Sequence, residues 1–136
     1  MLTNTSVSIC AAMAIAVIGA CHKDHDHHEN NNDATAPVFT IQKPSDQQIY
    51  NQGDTIWMQG VVTDNELHEL SIEIVRDSDA MRLFHDSISI HGLTSYAINR
   101  YWKTNVADTT EATVIFRAED HKPNKTEKKI AITILK

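Results

Sequence analysis

From residue 38 to the C-terminus, apolar and polar side chains alternate in short runs, and a period of two admits β-strands and little else. The runs are 38–41 (VFTI), 55–62 (TIWMQGVV), 70–75 (LSIEIV), 81–90 (interrupted at His85-Asp86), 95–102 (SYAINRYW), 112–118 (ATVIFRA) and 129–135 (KIAITIL). One face collects Ile56, Met58 and Gly60 in the second run and Leu70, Ile72 and Ile74 in the third. The same holds for Ala112, Val114 and Phe116, and for Ile130, Ile132 and Ile134. No stretch of helical period is long enough to compete. Asp, Asn, Gly and Pro gather between the runs, in KPSDQQ (43–48), TDNELHEL (63–70), HGLT (91–94) and AEDHKPN (118–124), as turns require. Seven short strands at roughly ten-residue spacing predict an all-β fold, an immunoglobulin-like or fibronectin-like antiparallel sandwich over residues 37–136. The chain has 136 residues, which allows a single domain once any leader is removed.

The first twenty residues follow a different rule. Val7 to Ala20 carries fourteen residues without a charge, too short for a membrane-spanning helix of about 20 residues. It matches the apolar region of a secretory signal, and Gly19 and Ala20 supply the small residues of a cleavage end. Met1 to Ser6 lacks the Lys or Arg usual before such a region, so the positive charge there is the terminal amine. A buried structural helix is the other reading, and nothing later in the chain offers it a helical partner.

Ile18-Gly19-Ala20-Cys21 resembles the bacterial lipobox, an aliphatic residue and two small ones before a cysteine. The resemblance implies a signal peptide at 1–20, a mature start at Cys21 and a diacylglycerol on its sulfur. Two or three acyl chains meet the requirement for stable membrane anchoring. The only other cysteine, Cys10, would leave with the leader, so no disulfide remains to the mature chain. A Cys10–Cys21 bridge would need the leader to stay.

After Cys21 comes HKDHDHHENNNDATAP, almost free of apolar side chains. Such a segment cannot bury enough surface to offset its ordering entropy, and residues 21–36 read as a lipidated cysteine and a flexible tether. His22, His25, His27 and His28 are interleaved with Asp24, Asp26 and Glu29, a histidine-rich tract of the metal-binding kind. Its acidic residues also resemble export signals of Bacteroidota lipoproteins, which implies an outer-membrane location facing either the periplasm or the cell surface. The stretch AEDHKPNKTEKKIAITI resembles the last two strands of bacterial Ig-like modules, although the usual glycine of their connection is missing. The chain as a whole resembles small Bacteroidota lipoproteins of the DUF4625 family, which pair a histidine-rich segment after the lipobox with a histidine-bearing Ig-like domain. That family is of unknown function and implies no activity.

Placing the domain histidines on the expected sandwich gives a sharper expectation. Successive strands reverse direction, so the connections after the second, fourth and sixth runs should lie at one end. These carry His68, His91 and His121, and His85 falls elsewhere. Asp64 and Asp120, with Glu66 and Glu119, accompany them in sequence. Imidazole with carboxylate is a ligand set for zinc or copper. Calcium prefers oxygen donors alone, and the histidines weigh against it. The first strand should start at the same end, which would bring the tether close to the three histidines.

Catalysis finds little support. There is no Gly-rich phosphate loop, no Gly-x-Ser-x-Gly and no His-Glu-x-x-His, and Cys21 is accounted for as an anchor. The net charge is −6 with no basic patch, which argues against nucleic acid as a partner. Two readings from different classes follow. One is a membrane-anchored lipoprotein that binds a transition metal through histidines. The other is a non-catalytic adhesion or assembly module that presents a sheet or loop surface to a protein or glycan. Trp57 and Trp102 read as core or rim packing in either case.

Overall fold

A computed structural model of the chain describes residues 34–122 and 124–136. The leader, Cys21 and the four tether histidines lie outside the described residues. Six strands occur among the described residues: β1 (Val38–Lys43), β2 (Gln48–Asn51), β3 (Thr55–Arg76), β4 (Arg82–Lys103), β5 (Thr110–Asp120) and β6 (Lys125–Leu135). No helix is present among them.

The all-β antiparallel sandwich is the observed architecture, but it is built from fewer and longer pieces than seven strands. The second and third runs are one strand of 22 residues, β3, and the fourth and fifth runs are likewise one strand, β4. They form a single long hairpin, with Thr55 opposite Lys103 and Val75 opposite Arg82. The polar stretches at 63–69 and 91–94, expected as turns, are extended backbone interrupted by bulges. One strand was not expected at all. β2 lies within and just after the KPSDQQ segment, and it pairs in parallel with β6.

The hairpin is shared by two layers. Its open end, residues 55–63 and 95–103, pairs with β1. Its closed end pairs with β5, which continues through β6 to β2. The bulges at 63–69 and 90–92 mark the corner where one layer folds over onto the other. Phe39 of β1 and Phe116 of β5, on strands that do not pair, meet across the interior with ring centroids 6.1 Å apart. The alternation places the core as expected: Ile56, Met58, Leu70, Ile72, Ile74 and Phe116 are all completely buried. Burial of each such side chain contributes roughly 1.5–3 kcal/mol.

Gly60 sits where the hairpin and β1 approach most closely. A Cβ there would stand 2.5 Å from the Thr40 carbonyl oxygen and 3.0 Å from the Ile41 Cα, so the position accepts only hydrogen. On the outer face of the second layer, Glu73 is buried beneath longer side chains and accepts from Arg117 Nη1 at 2.6 Å and from Arg82 Nη2 at 2.8 Å. Arg117 also bonds Glu127 at 2.6 Å. The hydrogen bond from Arg117 holds the Glu73 carboxyl below its ordinary range, against the desolvation that would raise it.

Candidate metal centre

The corner of the hairpin brings three histidines together, and each arrives by a local device. Opposite β5, Leu67 faces Asp120 and Glu69 faces Glu119, so His68 is an extra residue on β3. Such a bulge re-aims side chains. Leu67 and Leu70 both point inward, while the two residues between them, His68 and Glu69, both point outward. On β4, three residues, 90–92, span the interval that His68 alone spans on β3. Ile90 is buried, His91 turns outward, and Gly92 follows at a φ of 74°, a left-handed conformation that glycine adopts without strain. His121 opens the turn between β5 and β6, and its backbone N–H donates to the Glu66 carbonyl at 3.0 Å, which ties that turn to β3.

The three imidazoles face one another. Ring centroids are 5.3 Å apart for His68 and His91, 5.6 Å for His68 and His121, and 5.0 Å for His91 and His121. The Nδ1 atoms of His68 and His91 are 3.0 Å apart, a distance at which one ring's Nδ1–H donates to the other ring's Nδ1. One ring nitrogen from each histidine can be chosen so that all three lie within 4.8 Å of one another, and all three residues are exposed. A tetrahedral ion with metal–nitrogen bonds of about 2.0–2.1 Å needs its nitrogens about 3.3 Å apart. Rotations of exposed rings cover that difference. The set therefore fits zinc or copper(II) chemically: neutral nitrogen donors, no sulfur, and no fourth protein ligand among the described residues.

The two carboxylates expected beside these histidines stand outside the group. Asp120 is buried, and it serves the turn instead. Its Oδ1 accepts the backbone N–H groups of Lys122 at 2.7 Å and Asn124 at 2.8 Å, and its Oδ2 accepts from Asn124 Nδ2 at 2.6 Å. Asp120 thus shapes the loop that presents His121. Asp64 Oδ1 accepts the Glu66 N–H at 3.1 Å, and its Oδ2 is buried without a hydrogen-bond partner. Of the neighbouring glutamates, Glu69 accepts from Ser87 Oγ at 2.7 Å and Glu119 pairs with Lys125 at 2.8 Å. His85 lies apart on β4, with its Nε2 3.9 Å from Glu73.

Sequence reasoning passed over one surface feature. Trp57 and Tyr101 face each other across β3 and β4 on the outer side of the first layer, with centroids 5.2 Å apart and planes tilted by 49°. They are 39% and 63% exposed. Only the hairpin register, Trp57 opposite Tyr101, joins them, and no short-range signal carries it. Trp102, by contrast, packs against the core as expected.

No family model matches the chain, and no curated protein matches it. Solved structures resemble its fold. An engineered protein known from a crystal structure superposes with a TM-score of 0.53 at 12% identity, over 74% of this chain and 20% of that one. Spo0M, a sporulation control protein from Bacillus subtilis, gives a TM-score of 0.47 at 10% identity, over 74% of this chain and 49% of that one. Murine CRIg gives 0.39 at 11% identity, over 74% of this chain and 98% of that one. The chain thus spans about a fifth of the first and about half of the second. At this identity the likeness to the engineered protein is one of fold alone.

Proposed function

We propose that this chain is an exported lipoprotein, anchored to the outer membrane through Cys21, whose sandwich domain binds a transition-metal ion, zinc or copper, at His68, His91 and His121. One observation carries the metal reading: three of the four histidines among the described residues converge, from two strands and a turn, with ligand nitrogens within 4.8 Å of one another. The absence of sulfur favours zinc or copper(II) over copper(I). Calcium is disfavoured, because the Asp120 carboxylate it would need is committed to the turn. A tetrahedral ion held by these three imidazoles would keep a fourth position for solvent, which suits capture, buffering or sensing. The anchoring reading rests on the Ile18–Cys21 motif.

Calorimetric titration of residues 37–136, which leave out the histidine-rich tract at 22–28, with zinc and with copper(II) tests the site. Binding tighter than about 100 µM is expected, corresponding to more than about 5.5 kcal/mol. It should be lost in His68→Ala/His121→Ala and weaken on acidification, because imidazole binds metal only when unprotonated. Binding unchanged by the double substitution would refute the site. For the anchor, Cys21→Ala should move the protein from the membrane to the soluble fraction and abolish fatty-acid labelling.

The exposed Trp57–Tyr101 pair favours a second reading, an adhesion or assembly module for a protein or glycan. Trp57→Ala/Tyr101→Ala would then abolish partner binding and leave metal affinity unchanged.

A further inference from the structure

We infer that the outer face of the first layer is a platform for an uncharged polysaccharide, with Trp57 and Tyr101 stacking on its sugar rings and Gln59 and Asn99 reading its hydroxyl groups. This rests on the module reading of the Trp57–Tyr101 pair, and it adds the ligand class and the residues that recognise it. The metal site takes no part.

The two layers turn different faces to solvent. The outer face of the second layer is a lattice of ion pairs: Glu73 with Arg82 and Arg117, Arg117 with Glu127, and Glu127 with Lys129. The first layer is made of residues 38–43, 55–63 and 95–103, and none of them is Asp or Glu, in a chain with 18 acidic residues. Four outward-facing pairs in succession, from Trp57 opposite Tyr101 to Thr63 opposite Ser95, carry no charge of either sign. Lys43 and Lys103 stand at the margins, on the two outer strands β1 and β4.

A face without charge favours a ligand without charge, because an ion desolvated there finds no counter-ion. The Trp57 and Tyr101 rings are 39% and 63% exposed and tilted by 49°, so their faces aim in different directions. Aromatic faces carry partial negative charge and attract the C–H bonds on the flat side of a sugar ring. The tilt suits successive rings of a chain that twists, where coplanar aromatics would suit a flat ribbon. The next pair along the strands, about 7 Å away, is Gln59 and Asn99. Gln59 Nε2 donates to Asn99 Oδ1 at 3.0 Å, which orients both amides and leaves Gln59 Oε1 to accept and Asn99 Nδ2 to donate. Sugar hydroxyls both donate and accept, and meet both needs. Size separates a glycan from a protein. Residues 55–63 span about 30 Å and the three strands about 15 Å, so the face offers about 450 Å². A stable protein interface takes about 800 Å² from each partner.

The test uses the full chain in a detergent without a sugar headgroup, with EDTA present, and reads binding by calorimetry. The probes are α-linked and β-linked glucose hexamers and the mannose and xylose hexamers, at millimolar concentration, with a galacturonate hexamer as the charged control. At least one uncharged hexamer should bind. Trp57→Ala should weaken that binding about 10-fold and Asn99→Ala about 3- to 10-fold, with thermal midpoints by circular dichroism unchanged. No binding of any uncharged hexamer, or binding left intact in Trp57→Ala/Tyr101→Ala, would overturn the proposal. Tighter binding of the galacturonate hexamer would overturn the uncharged class. Binding seen only without EDTA would move the sugar to the histidines and overturn the platform. Self-association by sedimentation, lost in Trp57→Ala/Tyr101→Ala, would place a second copy on the face; the glycan would then fail while the reading as an assembly module stands.

Discussion

Asp120 and Glu73 show how a carboxylate in this fold is employed before any ligand arrives. Asp120 sits beside a candidate ligand in sequence, yet both its oxygens are taken by backbone and amide N–H groups of its own turn. Glu73 is held by Arg117 and Arg82, and its folded pKa lies below the ordinary 4.5. A depressed carboxylate contributes stability that is fully present above its unfolded pKa and is lost as pH falls through the folded value. Glu73 therefore contributes at neutral pH, and its contribution disappears below pH 4.5. Glu73→Gln should lower stability at pH 7 by about 1 kcal/mol, given how exposed the two arginines are, and the two proteins should converge in acid. Urea denaturation at several pH values measures both.

The bulge at His68 is the element on which the site depends. Because Leu67 and Leu70 are both buried, the strand carries one residue too many for strict alternation between them. Deleting His68 restores the alternation and the β3–β5 register, so the chain should still fold. Deleting Ser71 instead turns Ile72 and Ile74 to the opposite face from Leu70, since a slip of one residue inverts every side chain beyond it. Thermal melting should place the Ser71 deletion far below the His68 deletion. The same bulge marks where sequence reading fell short. Ile56, Met58, Leu70, Ile72 and Ile74 were legible because buried strands alternate, and all are fully buried. The stretch TDNELHEL resembled a turn because a corner between layers is as polar as a loop. Three histidines were expected to converge on loops at one end of alternating strands. They converge instead at mid-strand bulges and one turn, because β3 and β4 pass through both layers. β2 escaped notice because a four-residue edge strand with one buried side chain, Tyr50, shows no periodicity.

At the scale of the whole molecule, two layers share one hairpin whose only reversal is the segment between Arg76 and Arg82. That segment has its own fastening: Arg76 pairs with Asp79 at 2.7 Å, and Asp79 accepts the Met81 N–H at 3.1 Å. Neither layer can unfold while the other keeps β3 and β4 intact. Hydrogen exchange should therefore find the slowest amides of 55–63 and 67–76 opening with one free energy, and two distinct values would separate the layers. The shared hairpin also bears on how the chain finds its fold. A sandwich assembled from separate strands must close long loops before its layers meet, and folds slowly for that reason. Here a single local reversal can nucleate both layers, zipping from the closed end through the histidine corner to Thr55 and Lys103. An ion bound at that corner would join β3 and β4 to the β5–β6 turn only once β5 has docked, and so would latch the finished fold rather than guide its assembly.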